Sequence, residues 1–188
     1  MYPMVARCMK LAEAYYISKD KRYYDAYLQQ INTWFLNVET YMYPSFEYAQ
    51  VIPGQNGNKG RSTGLIDGYP FNDLIESIRL VNSVKKIDRR TMKGLQQWFG
   101  DFAEWAEETH GETMRKGKQN ISVAYDVTIV DMYLFAGEKR KAKAIVDAFA
   151  ALRIDKQIEE DGTQPAELKR TKAFSYSIFN LTHIIDMC

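Results

Sequence analysis

The residues best suited to chemistry lie near the C-terminus, where Arg170 and Tyr176 stand at the start of an apolar segment. The acidic loop before them, residues 155–169, contains an Asp-Gly pair and Pro165, so it cannot be helical throughout. A cation beside a phenol favours the phenolate, and the pair therefore predicts a tyrosine that acts as a base. If the two residues are considered alone, the alternative interpretation is that Tyr176 is a core aromatic residue and Arg170 a surface cation.

A second candidate group lies in the loop 36–70, which is rich in glycine, proline, asparagine and glutamine. Arg61 offers a cation to an anionic ligand, Gln50 and Asn56 offer amide donors, and several tyrosines, Tyr69 among them, flank the group. Aromatic faces and amides are typical of a sugar groove. Contacts that anchor the loop would explain the same residues. The glycines do not form a phosphate loop, because no strand and no G-K-[ST] accompany them.

Histidines and cysteines give little support to a metal site. His110 is predicted to end an amphipathic helix, where the helix dipole favours a cation, and His183 lies on the last predicted helix; structural roles are expected for both. Cys8 and Cys188 follow no metal or redox spacing. We expect no metal and no organic cofactor.

The elements that must position these residues are helices, because apolar residues recur at helical spacing and strand signals are weak. Three helical hairpins and a closing helix are predicted. They cover 9–17 with 23–35, 71–84 with 92–109, 121–135 with 139–152, and 174–187, with a polar joint at 111–119. A solenoid or a toroid would fit this pattern, and the long loops at 36–70 and 155–169 favour a partial α/α toroid. The expected fold class is all-α.

Size and charge limit the possible functions. The 188 residues, 46% hydrophobic, suffice for one domain over residues 1–188. Twenty-five lysines and arginines nearly balance 24 acidic residues, so no basic field indicates nucleic acid. No apolar stretch is long enough for a membrane span, and no secretion signal is recognisable.

Several ordered strings resemble a known family. Residues 34–44 are similar to W-F-L-x-x-E-T-x-M-x-P, residues 48–54 to Y-A-Q-x-I-P-G, and residues 60–67 to G-R-x-x-G-x-I-D. Residues 157–181 resemble Q-I-x-x-D-G-x-Q-P-x-E-L-x-R-T-x-x-x-x-Y-S-x-F-N-L. These strings are those of the alginate lyase family of polysaccharide lyases, and together with Trp98, Phe99 and Trp105 they extend over most of the chain.

The resemblance implies cleavage of a uronic-acid polysaccharide such as alginate by β-elimination. It implies that Tyr176 serves as base and acid, that Arg170 activates it, and that Asn120 neutralises the substrate carboxylate. Arg61, Gln50, Asn56, Tyr125 and Tyr69 are the expected substrate-binding residues. Glu167 and Asp161 are candidates to hold Arg170, and they fit solvated acids of the loop equally well.

One departure from the family favours a second hypothesis. The family string N-N-H-G-T-W-Y-D-V-Q corresponds to residues 119–128, and Ile121 stands where the histidine belongs. Isoleucine neither accepts a proton nor donates a hydrogen bond. The alternative function is therefore a catalytically impaired relative that binds acidic glycans without cleaving them. A helical interaction scaffold is a third hypothesis, under which the loop chemistry has no purpose.

The resemblance also implies a periplasmic or secreted location and an acidic polysaccharide as the partner, with neither nucleic acid nor membrane. It begins inside the family's fold, so we expect upstream helices to be missing. A toroid cut in this way exposes a helix face, and we expect either self-association through that face or a missing partner segment that covers it.

Overall fold

The computed structural model describes residues 1–187, and within this range it contains helices and turns but no β-strand. The α-helices are α1 (Tyr2–Ser18), α2 (Lys21–Ile31), α3 (Phe71–Val84), α4 (Arg89–Lys116), α5 (Asn120–Ala136), α6 (Lys139–Phe149), α7 (Asp155–Gln157), α8 (Pro165–Leu168) and α9 (Ala173–Met187). π-helical turns at Asn32–Leu36 and Ala150–Ile154 continue α2 and α6, and 3₁₀ turns at Asn56–Asn58 and Ser62–Gly68 lie in the long loop. Across residues 1–187, no helix combines the length and the apolar character that a membrane crossing requires.

The predicted helices are confirmed, and the main difference is the length of α4. It continues to Lys116 through much of the segment predicted as a polar joint. Met114 is buried on its inner side, while Glu112 and Lys116 form an ion pair on its outer side, so the helix keeps an amphipathic pattern. The prediction that His110 ends a helix is wrong, because His110 lies inside α4. Burial lowers the pKa of its imidazole.

The central helix is α5, which packs against α3, α4, α6 and α9. The hairpins of α1 with α2 and of α5 with α6 are confirmed. The hairpin of α3 with α4 is wrong, because α3 packs along α1 and α5 whereas α4 packs along α5. Periodicity identifies an apolar face without identifying the helix that covers it. The arrangement is an all-α, partial α/α toroid.

An aromatic cluster fastens the long loop to α4. The ring of Phe46, in the loop, lies 5.8 Å from the ring of Phe71 and 4.9 Å from the ring of Phe102. Trp98 donates its indole N–H to the Met42 carbonyl at 2.7 Å. These contacts order the loop through its aromatic residues. Phe46 has that role, whereas most of the loop tyrosines, which are listed here, stay exposed: Tyr41, Tyr43 and Tyr48.

Candidate active site

Asn120 is the first residue of α5 and is only 2% exposed. Both carboxylate oxygens of Glu167, in α8, bind it. Oε1 accepts the backbone N–H of Asn120 at 2.7 Å, and Oε2 accepts a hydrogen of its Nδ2 at 2.9 Å. The preceding residue, Gln119, gives no side-chain cap. Glu167 therefore satisfies an N-terminal donor of α5 and puts a carboxylate at the positive end of the helix dipole.

Arg170 lies against Tyr176 in the structure. Its guanidinium carbon is 4.0 Å from the centroid of the Tyr176 ring, a distance at which the ring quadrupole attracts the cation. Both residues are half-buried. Glu167 and Asp161, the two candidates to hold Arg170, have other side-chain partners: Glu167 binds Asn120, and Asp161 accepts the N–H of Thr163 at 2.9 Å.

Glu167 contacts two of the three predicted catalytic residues, and the third lies against one of these two. Its side chain binds Asn120, and its backbone carbonyl accepts the N–H of Arg170 at 3.0 Å. Arg170 in turn lies on Tyr176. Ile121, beside Asn120, is half-buried and packs against the hydrophobic core, so it brings no polar group to these residues.

Arg153 holds the other side of the joint between α4 and α5. It is fully buried and binds both oxygens of Asp126, with Nε at 2.7 Å and Nη2 at 3.1 Å. It also donates to three backbone carbonyls at the end of α4, which belong to Met114, Arg115 and Gly117. A cation is favoured there, because carbonyls at the C-terminal end of a helix are negative and short of helical partners, although that of Met114 also accepts the N–H of Gly117 at 3.0 Å. The joint before Asn120 is thus clamped by Arg153 and Glu167.

Sequence reasoning missed the role of Arg153 and the true partner of Glu167, because each side chain binds a segment far away in the chain. Asp126 was visible as part of the Tyr-Asp-Val string, which gave no indication of its partner. Burial raises the pKa of the Asp126 carboxyl, although the hydrogen bonds from Arg153 oppose the shift. The attraction between Arg153 and Asp126 therefore offsets only part of the free-energy cost of removing their charges from water.

Buried amides fix the acidic loop to α9. The Nδ2 of Asn180 donates to Gln164 Oε1 at 2.9 Å and to Gln157 Oε1 at 3.2 Å, and Gln164 donates to the Ser177 carbonyl at 3.2 Å. Part of their hydrogen-bonding capacity has no protein partner, namely the Gln157 Nε2, Asn180 Oδ1 and Ser177 Oγ atoms. Buried polar atoms of this kind bind ordered water or a polar ligand in most proteins.

Arg61, Gln50 and Asn56 are joined mainly to their own loop. Arg61 donates to the backbone carbonyl of Gln50 at 3.2 Å and to its side-chain oxygen at 3.3 Å. Asn56 donates to the Gly60 carbonyl at 2.7 Å. A Cβ at Gly60 would lie 2.5 Å from the Ala49 oxygen, so this close approach needs glycine. These contacts support the anchoring role that the sequence left open, and Arg61 stays exposed.

An open cavity of about 580 Å³ lies beside this loop, lined by Tyr2, Tyr43, Tyr48, Glu47 and Asp67 among others. Tyr43 and Tyr48 are 70% and 65% exposed. Exposed phenol rings next to carboxylates provide stacking faces and hydrogen-bond acceptors, the combination that sugar rings require.

Tyr69 and His183 pack together near the C-terminal end of α9. Tyr69 donates its hydroxyl to Asp186, and its ring lies 4.1 Å from the ring of His183. Burial and the contact with Asp186 raise the pKa of Tyr69. His183 is fully buried, and neither ring nitrogen forms a hydrogen bond, although Nδ1 lies 4.0 Å from a carboxylate oxygen of Asp186. Burial lowers the pKa of His183 to about 4, although Asp186 opposes the shift. A neutral, buried imidazole agrees with the structural role expected for it.

Tyr125 lies apart from the loop group. It is buried, donates its hydroxyl to Glu107, and lines a cavity of about 390 Å³ together with residues of α4, α5 and α6. Burial, followed by the hydrogen bond to Glu107, raises its pKa. Among residues 1–187, no three His, Cys, Asp or Glu side chains form a group that could hold a metal ion.

Comparison with known proteins identifies the family. The family profile described as Alginate lyase matches residues 2–188. The crystal structure of an alginate lyase from Bacteroides ovatus is 37% identical and superimposes with a TM-score of 0.92, covering 98% of this chain and 49% of that one. The chain thus spans about half the length of that enzyme. No curated protein matches. By its profile match and its structural likeness, this chain belongs to the alginate lyase family.

Proposed function

We propose that the protein cleaves a uronate-containing polysaccharide such as alginate by β-elimination. The observation that carries the proposal is the contact of Arg170 with the Tyr176 ring, which Glu167 joins to Asn120. Membership of the alginate lyase family supports it. The substrate is an acidic polymer, and the site of action is the periplasm or the extracellular space.

Tyr176 is proposed as the base and the acid. It removes the proton on the carbon next to the uronate carboxylate, and the electron pair of that bond forms a carbon–carbon double bond. The bond to the glycosidic oxygen breaks, and the phenol returns a proton to that oxygen. No oxidant or reductant is needed. The charge that develops on the carboxylate during this step requires hydrogen-bond donors and cations near it.

Asn120 and Arg170 are the proposed donors to that charge. Asn120 gives one hydrogen of Nδ2 to Glu167, so one amide hydrogen is left for the substrate. Arg170 is half-buried and carries several N–H donors. The tyrosine-lined cavity beside the loop is the proposed binding groove for further sugar units. Arg61 does not line this cavity, but it is exposed in the same loop and is the proposed cation for a uronate.

The second candidate function is glycan binding without cleavage, and two observations favour it. Ile121 has no proton to exchange. The two donors of Asn120 that could clasp a carboxylate in bidentate fashion, its backbone N–H and Nδ2, are both bound to Glu167. A protein of this kind would hold acidic oligosaccharides in the loop groove and release them unchanged.

Ultraviolet absorbance separates the two functions, because the unsaturated uronate product of a lyase absorbs and the substrate does not. We expect absorbance to rise when the protein is incubated with alginate, polymannuronate or polyguluronate. Tyr176→Phe removes only the phenolic oxygen and should abolish the rise, whereas Tyr16→Phe, an exposed tyrosine of α1, should leave it unchanged. No rise on any polyuronate, with binding still detected by calorimetry, would establish the second function.

A further inference from the structure

Glu167 does more than close the end of a helix. We propose that Glu167 is a positioning residue of the lyase site, which determines the amide atom that Asn120 presents to the substrate. This inference rests on the function proposed above. Glu167 is assigned no contact with the substrate itself.

The bidentate contact fixes the orientation of the Asn120 amide. One oxygen of Glu167 is held by the backbone N–H of Asn120, so the other oxygen can face only the side chain of the same residue. A half-turn of that amide would set its oxygen against a carboxylate oxygen, two acceptors without a hydrogen between them. Asn120 and Glu167 are 2% and 1% exposed, so water can compensate little for two acceptors that face each other.

Glu167 is itself held from behind. Its backbone N–H donates to the Gln164 carbonyl at 3.0 Å, and the side chain of Gln164 is bound by Asn180 of α9 at 2.9 Å. A chain of contacts thus runs from α9 through Gln164 and Glu167 to Asn120. Tyr176 also lies on α9. The same helix therefore positions the proposed base and Asn120, the proposed hydrogen-bond donor to the substrate carboxylate.

Glu167→Gln tests the inference with almost no change in shape. The glutamine oxygen must accept the backbone N–H of Asn120, so the glutamine nitrogen faces the Asn120 side chain. Two amide nitrogens cannot hydrogen-bond head to head, and Asn120 must therefore rotate its amide and present its oxygen to residue 167. The oxygen and nitrogen of Asn120 exchange places, and the substrate meets an acceptor where a donor stood.

Hydrogen exchange by NMR measures this orientation directly. In the wild-type protein, one Nδ2 hydrogen of Asn120 should exchange slowly, and its signal is identified by its loss in Asn120→Ala. In Glu167→Gln that protection should vanish, kcat should fall tenfold or more, and KM should change less than about twofold. Asp88→Asn, which alters the exposed cap of α4, is the control and should leave kcat, KM and the protection unchanged.

The outcomes separate the inference from the proposed function. An active wild-type protein with an unprotected Asn120 amide would refute positioning by Glu167. So would a Glu167→Gln variant that loses the protection and keeps its kcat. A protected amide in a protein that cleaves no polyuronate would overturn the proposed function, and the catalytic part of this inference with it.

Discussion

Arg153→Met should destabilise the protein strongly. The substitution leaves Asp126 as a buried carboxylate without its cation, and breaking a buried pair in this way costs about 3–5 kcal/mol. It also removes the donor from three backbone carbonyls at the end of α4. An orphaned buried acceptor costs about 1–3 kcal/mol by itself, but these terms are not additive, and water can reach part of the joint. We expect a total loss of at least about 4 kcal/mol, in keeping with the buried-pair figure.

Urea unfolding followed by circular dichroism measures this loss. In thermal unfolding of a chain of this length, each kcal/mol of lost stability lowers Tm by about 2–4 °C, so Tm should fall by about 10 °C. Lys143→Met is the matched control: Lys143 pairs with Asp147 on the exposed side of α6, and its loss should cost less than about 1 kcal/mol. A decrease below about 1 kcal/mol for Arg153→Met would refute the clamp.

The double variant Arg153→Met with Asp126→Leu separates the two causes. Removing both charges takes away the unpaired carboxylate, and apolar replacements of buried pairs are often neutral. The carbonyls of Arg115 and Gly117 still lack the donor that Arg153 supplied, so recovery should be incomplete. A double variant as unstable as the sum of the single variants would show that the two residues do not interact.

Two further predictions concern α9. The free energy of unfolding should fall as pH decreases from about 6.5 to about 4. The pKa of His183 is lowered to about 4 in the folded protein, so the unfolded chain binds more protons in this range. His183→Gln should flatten the pH profile measured by urea unfolding, and an unchanged slope would contradict this prediction. The apolar residues Phe174, Ile178, Leu181 and Ile185 form an exposed stripe along α9, so we expect concentration-dependent self-association that Ile178→Lys with Ile185→Lys abolishes. A monomeric wild-type protein at every concentration in sedimentation velocity would disprove it.

The positions of the helices could be predicted because apolar spacing is a local property of the chain. α3 follows the predicted range. Lys19 and Gly137 have left-handed backbone at the C-terminal ends of α1 and α5, where helices commonly end in this conformation. The partners of the helices could not be predicted in the same way. The pairing of α3 with α1 rather than α4 depends on shape and on the whole set of apolar faces.

The candidate site divides along the same line. The sequence by itself determined the all-α class, the family strings and the neighbouring pair of Arg170 and Tyr176, because each of these depends on residues close together in the chain. Only the tertiary structure decided that Glu167 binds Asn120 and that Arg153 closes the end of α4. Hydrogen bonds of buried charges are formed wherever folding removes the water, and this is decided by the packing of the whole chain rather than by spacing along it.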